Sequence, residues 1–440
     1  VRLALLLLSG MVLSGGCGRD SAAGIDGPET PGEVSAPSPG MESMAVGYTY
    51  LRPDGNRLVE GQGNLPEARV LDIGLEGTPQ WVVAAPSGRG SAWAVVLEDG
   101  RVQAFRVVEG KSAPVPIMPQ SLPPGTPPVL VVEGGLRLRL ANLLEGDASQ
   151  LTHPAMLEGG RLAYVAGNGD LVLRKGEQTE RLAVQALPDA RLLADEEERL
   201  LLLSRPTTRY AHGVLGDGIE AAGMVLVETR PVLRAVAEVE FEAPLVGEGI
   251  APLWADVEGD DRREVVVTLS DEAAGARLAV FSEEGRLLAE GAPVGQGFRW
   301  RQALAVALFA GGGQPELAAV RTPHLGGVVE FYRRAAGTLE VVTSLGGYTA
   351  HVPGSRNLDM AAAGDFDGDG RPELLLPDQE RGRLGGIERA SFGARVEWSV
   401  EVGGRMLTNL AATEQEGGGL LVGVGHDQGG LRIWLPKGEN

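Results

Sequence analysis

Three stretches of the chain, ADVEGDDRREVVVTL (255–269), LFAGGGQPELAAV (308–320) and GDFDGDGRPELLL (364–376), follow one plan: a loop, an acidic residue, then an apolar strand. The acidic residue is Glu264, Glu316 or Glu373, with spacings of 52 and then 57 residues. A second strand follows each at a similar offset, from Arg277, Gly327 and Gly386. The turns EEGR and AAGT read as hairpin tips, because glycine supplies the positive φ that a tight turn needs. Weaker units with the same rhythm come earlier: WVVAAP leads to SAWAVVLEDGRVQAF, PVLVVEG to LRLRLAN, and RLLLLSRP to GMVLVETRP, while RLAYVAGNGDLVLRK stands alone. No long stretch beyond residue 45 has a helical period, so the chain is read as all-β.

Strand repeats of this length mean blades or a solenoid. The last unit, LLVGVGHDQGGLRIWLPKG, ends the chain without room for an outer strand, and AVGYTYL (46–52) is an unattached strand near the other end. Pairing of first with last would close a ring and remove exposed sheet edges. The expected fold is therefore a single β-propeller over residues 46–440, with seven to eight four-stranded blades closed by the N- and C-terminal strands. A β-solenoid is the runner-up and would need shorter, more uniform turns. Composition agrees, since 65 Gly and 28 Pro with 5% aromatic residues suit many short strands and turns. The formal charge of −20 argues against a nucleic-acid partner, which needs a basic surface.

In GDFDGDGRPEL, the alternation of Asp365, Asp367 and Asp369 aims three carboxylates at one point if the backbone curls, and Gly370 permits the curl. The Arg371 carbonyl can join them and Glu373 can close the shell. Hard oxygen donors in that number suit Ca²⁺, at distances of roughly 2.3–2.6 Å. An EF-hand is excluded by spacing, because its twelfth position would be Leu376. The stretch resembles the FG-GAP or VCBS repeat of integrin α-subunit propellers and bacterial surface proteins, in which Asp-x-Asp-x-Asp-Gly-x-x-Asp binds Ca²⁺. The resemblance is specific at 363–376, fair at 255–267 and skeletal at 308–318, and Glu373 stands where the family has its final Asp. It implies a propeller whose blade loops are rigidified by Ca²⁺, mostly in adhesion or ligand-binding proteins.

A second candidate set is Asp256, Glu258, Asp260 and Glu264. Here Asp261 occupies the Gly370 position, and Arg262 and Arg263 are placed to neutralise the carboxylates. A solvated acidic turn is the plain alternative for both loops. The third loop has Leu308, Ala310 and Gly312 at the aspartate positions and cannot hold an ion.

At the other end of the chain, Arg2 precedes the apolar run Leu3–Leu8 with Met11, Val12 and Leu13, and Ser14, Gly15 and Gly16 lead into Cys17, the sole cysteine. This has the layout of an export signal and is too short to span a bilayer. A cysteine directly after such a segment resembles the bacterial lipoprotein signal, which implies lipidation of Cys17 and membrane attachment through that lipid alone. An ordinary secretory signal with an incidental cysteine is the alternative. Residues 18–45 are rich in Pro, Gly and Ser and cannot bury enough surface to fold. They form a tether with a reach of roughly 30 Å. The expected location is the cell envelope, with Gly18 after the cysteine pointing to the outer membrane by analogy.

Catalytic motifs are absent. His153, His212, His324, His351 and His426 stand isolated, without metal-ligand spacing. There is no nucleophile elbow and no phosphate loop. DEEER (195–199) reads as a solvated loop in the position of a lost metal loop, and GDGIE (216–220) as a turn. Two functions remain. One is a non-enzymatic, lipid-anchored, Ca²⁺-binding propeller that binds an unknown protein or glycan. The other is a propeller enzyme, a hydrolase, lyase or quinoprotein, that uses the central channel. Charged side chains converging at a channel mouth would favour the enzyme, and a plugged channel would favour binding.

Overall fold

Apolar runs separated by glycine turns fold into antiparallel hairpins along the whole chain. A computed structural model describes residues 44–144, 146–415 and 417–437, so the signal-like segment, Cys17 and most of the tether lie outside the described residues. No α-helix occurs among those residues. The hairpin tips at EEGR and AAGT form as expected, with φ of +87° at Gly285 and +93° at Gly337.

The strands fall into successive groups. Pro79–Ser87, Gly90–Leu97, Val102–Val108 and Lys111–Pro114 make the first, followed by the hairpin Val129–Glu133 with Arg137–Leu140. Next come Ala155–Leu157 to Gln178–Ala183, Leu193–Ala194 to Arg234–Glu240, and Leu253–Ala255 to Leu287–Gly291. The final groups are Arg301–Ala307 to Thr338–Gly346, Ala362–Asp365 to Gly393–Glu401, and Ala411–Glu414 to Gly430–Leu435. Parallel pairing of Glu290 with Thr338 joins two groups at their outer strands.

Apolar contacts run from each group to the next. Val83 and Ala94 meet Leu130 and Leu138, Val266 and Leu278 meet Leu317 and Tyr332, and Ala318 and Phe331 meet Leu374 and Ile387. The succession returns on itself, because Leu421 and Ile433 of the last group pack with Trp93 and Phe105 of the first. The architecture is all-β and propeller-like.

One expectation is overturned. The strand near the N-terminus, Met44–Tyr48, pairs antiparallel with Val129–Glu133 and not with the last unit. The last unit does lack an outer strand of its own, but it takes Arg69–Gly74, which pairs with Gly430–Leu435. That strand escapes a reading for apolar runs because it lies at an outer edge, where only Ile73 is buried.

Residues 44–62 instead line the inside of the assembly. Their backbone and side chains reach the first strand of one group after another. The Pro53 carbonyl accepts from Ala194 N–H (2.8 Å), that of Asp54 from Trp254 (3.2 Å), and that of Arg57 from Ala363 (2.7 Å). The Asn56 side chain exchanges two hydrogen bonds with the Val306 backbone (2.9 and 3.0 Å). Leu58–Gln62 then runs parallel to Ala362–Asp365. Thr49, Tyr50, Asp54, Asn56 and Arg57 are all buried.

Buried charge along this segment is paired. Asp359, 1% exposed, accepts from Arg57 Nε (2.9 Å) and from Arg191 Nη1 and Nη2 (3.0 and 2.7 Å). Burial alone would raise its pKa, yet Arg191 and Arg57 outweigh burial and hold the carboxyl below its ordinary range. Asp359→Asn keeps the shape and leaves two buried guanidinium groups without a counter-charge. The urea midpoint is expected to fall, at a cost of about 3–5 kcal/mol. An unchanged midpoint would show that the ion triad does not hold the centre together.

Candidate functional site

The loop 365–373 joins two antiparallel strands that place Gly364 opposite Glu373. Its curl is built by the aspartates themselves, each capping a later backbone N–H. Asp365 Oδ1 accepts from Gly368 (2.8 Å) and Oδ2 from Gly370 (3.1 Å), Asp367 Oδ1 from Asp369 (3.0 Å), and Asp369 Oδ1 from Arg371 (2.8 Å). Gly368 and Gly370 have φ of +85° and +87°, where a side chain would be strained. Phe366, fully buried between two of the aspartates, pins the loop to the core.

The result is convergence. One oxygen from each of Asp365, Asp367, Asp369 and Glu373 lies within 4.8 Å of the others, and among the described residues no other set of acidic, histidine or cysteine side chains does this. Such a set can hold a metal ion. Glu373 is 1% exposed. Its Oε2 accepts from Phe366 N–H (2.9 Å), and its Oε1 has no hydrogen-bond partner among the described residues. Burial, and then Asp367, Asp365 and Asp369, push its carboxyl up to about 8. Burial is the leading cause that raises Asp367, with Asp369 and Asp365 adding to it. The Arg371 side chain, to which the sequence assigns no role, turns back onto Asp369 (2.6 and 2.9 Å) and Glu388. Trp398 Nε1 donates to Asp367 Oδ2 (3.2 Å).

The second candidate loop does not converge in this way. Asp256 caps Gly259, Asp260 and Asp261, and Asp260 caps Arg262, but Glu258 turns away to pair with Arg334. Asp261 carries the positive φ, +64°, that its place at the glycine position demands. Arg263 was expected to neutralise the loop and reaches Asp54 (2.9 Å) and Glu196 instead. Glu264 is buried, accepts from Val257 N–H (2.9 Å), and is pushed up to about 7 by burial and by Glu258, Asp256 and Asp260. In the third loop Glu316 is fully buried and held by Arg389 (3.0 Å) and Arg333 (2.5 Å). DEEER occupies the same inter-strand position, between Leu193–Ala194 and Leu200–Thr207, and is a turn closed by Arg199 on Asp195 (2.7 Å) and Glu283 (2.8 Å). GDGIE is also a turn, with Asp217 capping Ile219 (2.9 Å).

Glu373 belongs to a minority of the buried carboxylates. Most buried carboxylates pair with arginine, as Asp54, Asp189, Glu198, Glu316, Glu330 and Asp359 illustrate. Among the described residues, Glu264, Glu373, Glu220 and Glu248 have no arginine partner. The first two belong to the acidic loops. The last two lie in a cluster that the sequence does not announce.

That cluster sits at the other end of the strands from loop 365–373, in the connections between groups and between second and third strands. His212 Nδ1 shares a hydrogen bond with Glu248, whose other oxygen accepts from the Ser270 hydroxyl. Among the described residues, Glu220 accepts only from Gly249 N–H (3.1 Å). Phe298, at φ +51°, stacks on His212 (5.4 Å between centroids) beside Tyr210. Trp300 contacts His351 (5.0 Å) and His324 (6.2 Å), and these two histidines share a 2.8 Å hydrogen bond. Burial lowers His351 to about 3 and, with His212, His324 to about 4. His212, His324 and His351 are isolated along the chain, and only the return of successive groups to one end brings them together, while His153 stacks on Tyr50 elsewhere.

No family model matches the chain, and no curated protein does. Among solved structures it is similar to a europium-containing methanol dehydrogenase at 9% identity, covering 86% of this chain and 89% of that one with a TM-score of 0.55. At that identity the likeness is one of fold, and it agrees with the propeller-like architecture. A structure of the mitotic checkpoint complex matches over 86% of this chain and 98% of that one, at 12% identity and a TM-score of 0.38.

Burial, and then Glu248, push Glu220 up to about 9. Between its ordinary value and 9 the folded chain keeps a proton that the unfolded chain has lost, so this group makes stability fall as pH rises. Glu220→Gln mimics the protonated form. Urea unfolding at pH 5.5 and 8.5 should show the variant gaining on wild type at the higher pH by about 1–3 kcal/mol. A constant difference across the two pH values would mean that Glu220 is ionised throughout.

Proposed function

We propose that this chain is a calcium-stabilised β-propeller of eight blades, related to FG-GAP/VCBS repeat proteins and lipid-anchored at the cell envelope through Cys17. In this reading it binds a protein or glycan and catalyses no reaction. The observation that supports it is the course of residues 44–62 along the inner strands, where a channel site would form: they leave a cavity of about 210 Å³ beside Tyr48, Leu58 and Glu60, and their buried charges are paired, Arg57 with Asp359 and Asp54 with Arg263. The succession of strand groups supports the count of eight, if the hairpin at Val129–Leu140 with Met44–Tyr48 on its inner side is taken as one blade.

Asp365, Asp367, Asp369 and Glu373 would hold the ion, joined by the Arg371 carbonyl. The donor set fits: all are hard oxygens, and Glu373 keeps one carboxylate oxygen without a hydrogen-bond partner among the described residues. Ca²⁺ would supply the positive charge that arginine supplies to Glu316. A propeller enzyme is the second reading, favoured by the cluster of His212, Glu220, Glu248 and Trp300, of which Glu248 and Trp300 line a small cavity together with Arg57 of the central segment.

An ion that binds only the folded state stabilises it by about 2.7 kcal/mol at a hundredfold excess over its Kd. Calorimetry should show Tm rising with Ca²⁺ in the wild type and rising little in Asp367→Asn/Asp369→Asn. Equal shifts in both proteins, or none in either, would reduce the loop to a charged turn. Fatty-acid labelling lost in Cys17→Ala tests the anchor. A screen of glycans and envelope proteins against the full chain tests the binding role, and turnover of any screened substrate would favour the enzyme.

A further inference from the structure

The cation-site loop does not stand alone on its blade. Leu58–Gln62 lies beside it in parallel register, with Gln62 opposite Asp365 although 303 residues separate them. Gln62 Nε2 donates to Asp365 Oδ2 at 3.0 Å. Gly63 N–H donates to the Asp365 carbonyl and Leu65 N–H to that of Phe366, both at 2.8 Å. The fit between the two backbones leaves no space for side chains. A Cβ at Gly63 would lie 2.1 Å from the Phe366 carbonyl oxygen, and one at Gly368 would lie 2.9 Å from that of Gly63.

From here the segment runs straight to the ring closure. Asn64 Oδ1 accepts from Lys437 N–H (2.9 Å), Glu67 pairs with Lys437, and Arg69–Gly74 pairs with the last strand. Residues 58–67 are thus a strap, held by the acidic loop on one side and by the C-terminal end on the other.

We propose that the cation site is composite, with the strap residue Gln62 as part of its shell, and that the bound ion clamps the strap and so secures the closure of the ring. The inference rests on the ion reading above. An amide presents either a donor or an acceptor. With four carboxylates and no ion, Gln62 donates its N–H to Asp365. With an ion on Asp365, the same N–H bond holds Gln62 to a carboxylate that the ion has fixed. Binding then fixes Asp365, and Asp365 fixes residues 62 and 63 through its side chain and its carbonyl. Without the ion, repulsion among the carboxylates is relieved by opening the loop, which loosens the strap where it is attached.

The test uses the full chain and Ca²⁺ alone, with titration calorimetry for binding and hydrogen exchange with mass spectrometry for the strap. Saturating Ca²⁺ should slow exchange across residues 58–66 by about tenfold relative to chelator, a coupling of ordinary size. Asp367→Asn/Asp369→Asn should abolish that slowing. Gln62→Ala should still bind but about fivefold more weakly, with less protection of the strap. If Ca²⁺ binds and protects only residues 365–373, or if Gln62→Ala matches wild type in both readouts, the clamp is wrong and the ion site stands. If Ca²⁺ does not bind, the ion reading falls and the clamp with it.

Discussion

Asp359 sits without access to water between two guanidinium groups, one from Arg57 on the central segment and one from Arg191 on a connection between strand groups. Three regions of the chain that are remote in sequence meet at this carboxylate. Arg57 also donates to the Leu304 carbonyl (3.1 Å), which adds a fourth. Such an arrangement gives register more than net stability, because desolvating the charges offsets much of their attraction. Register is what a ring of similar units lacks. Apolar faces between neighbouring groups are broadly alike, and a segment that must satisfy a different partner on each inner strand assigns every group its place.

The repeated glutamates show one structural problem met in three ways. A carboxylate at the start of the second strand is buried by the fold itself, whatever the loop before it contains. Glu316 lies behind a loop stripped of aspartates and is neutralised by Arg333 and Arg389. Glu264 accepts one backbone N–H, while its neighbour Glu258 is drawn off to Arg334. Glu373 keeps three converging aspartates and no arginine of its own. The chemistry that neutralises the position has changed while the position has stayed.

Much of this was legible in the chain, and the reasons differ by element. Hairpins with a glycine at the tip declare themselves, because the φ they need is local. The loop at 365–373 was equally readable, since alternate aspartates followed by a glycine encode both the curl and the charge. The closing strand was not, because Arg69–Gly74 buries little and a half-exposed edge looks like a loop. The strand expected over 46–52 forms only as far as Tyr48, within Met44–Tyr48, and was given the wrong partner, since sequence carries no label for which edge a strand will join. The cluster around His212 and Glu248 was invisible for another reason. Its members lie in connections spread over more than a hundred residues, and only the fold collects them.

The route of the central segment also bears on how the chain reaches its folded state. Arg69–Gly74 waits for a partner, Gly430–Leu435, that leaves the ribosome some 356 residues later. Meanwhile the inner strands that will hold residues 44–62 do not yet exist. Each hairpin forms from local sequence, but the piece that orders them is synthesised first and satisfied last. Pairings this distant in sequence are slow and leave a strand edge open to foreign partners. A half-made chain of this design is therefore a collection of sticky hairpins with an unanchored leader. Its passage to the native ring is a matter of protected assembly as much as of final stability.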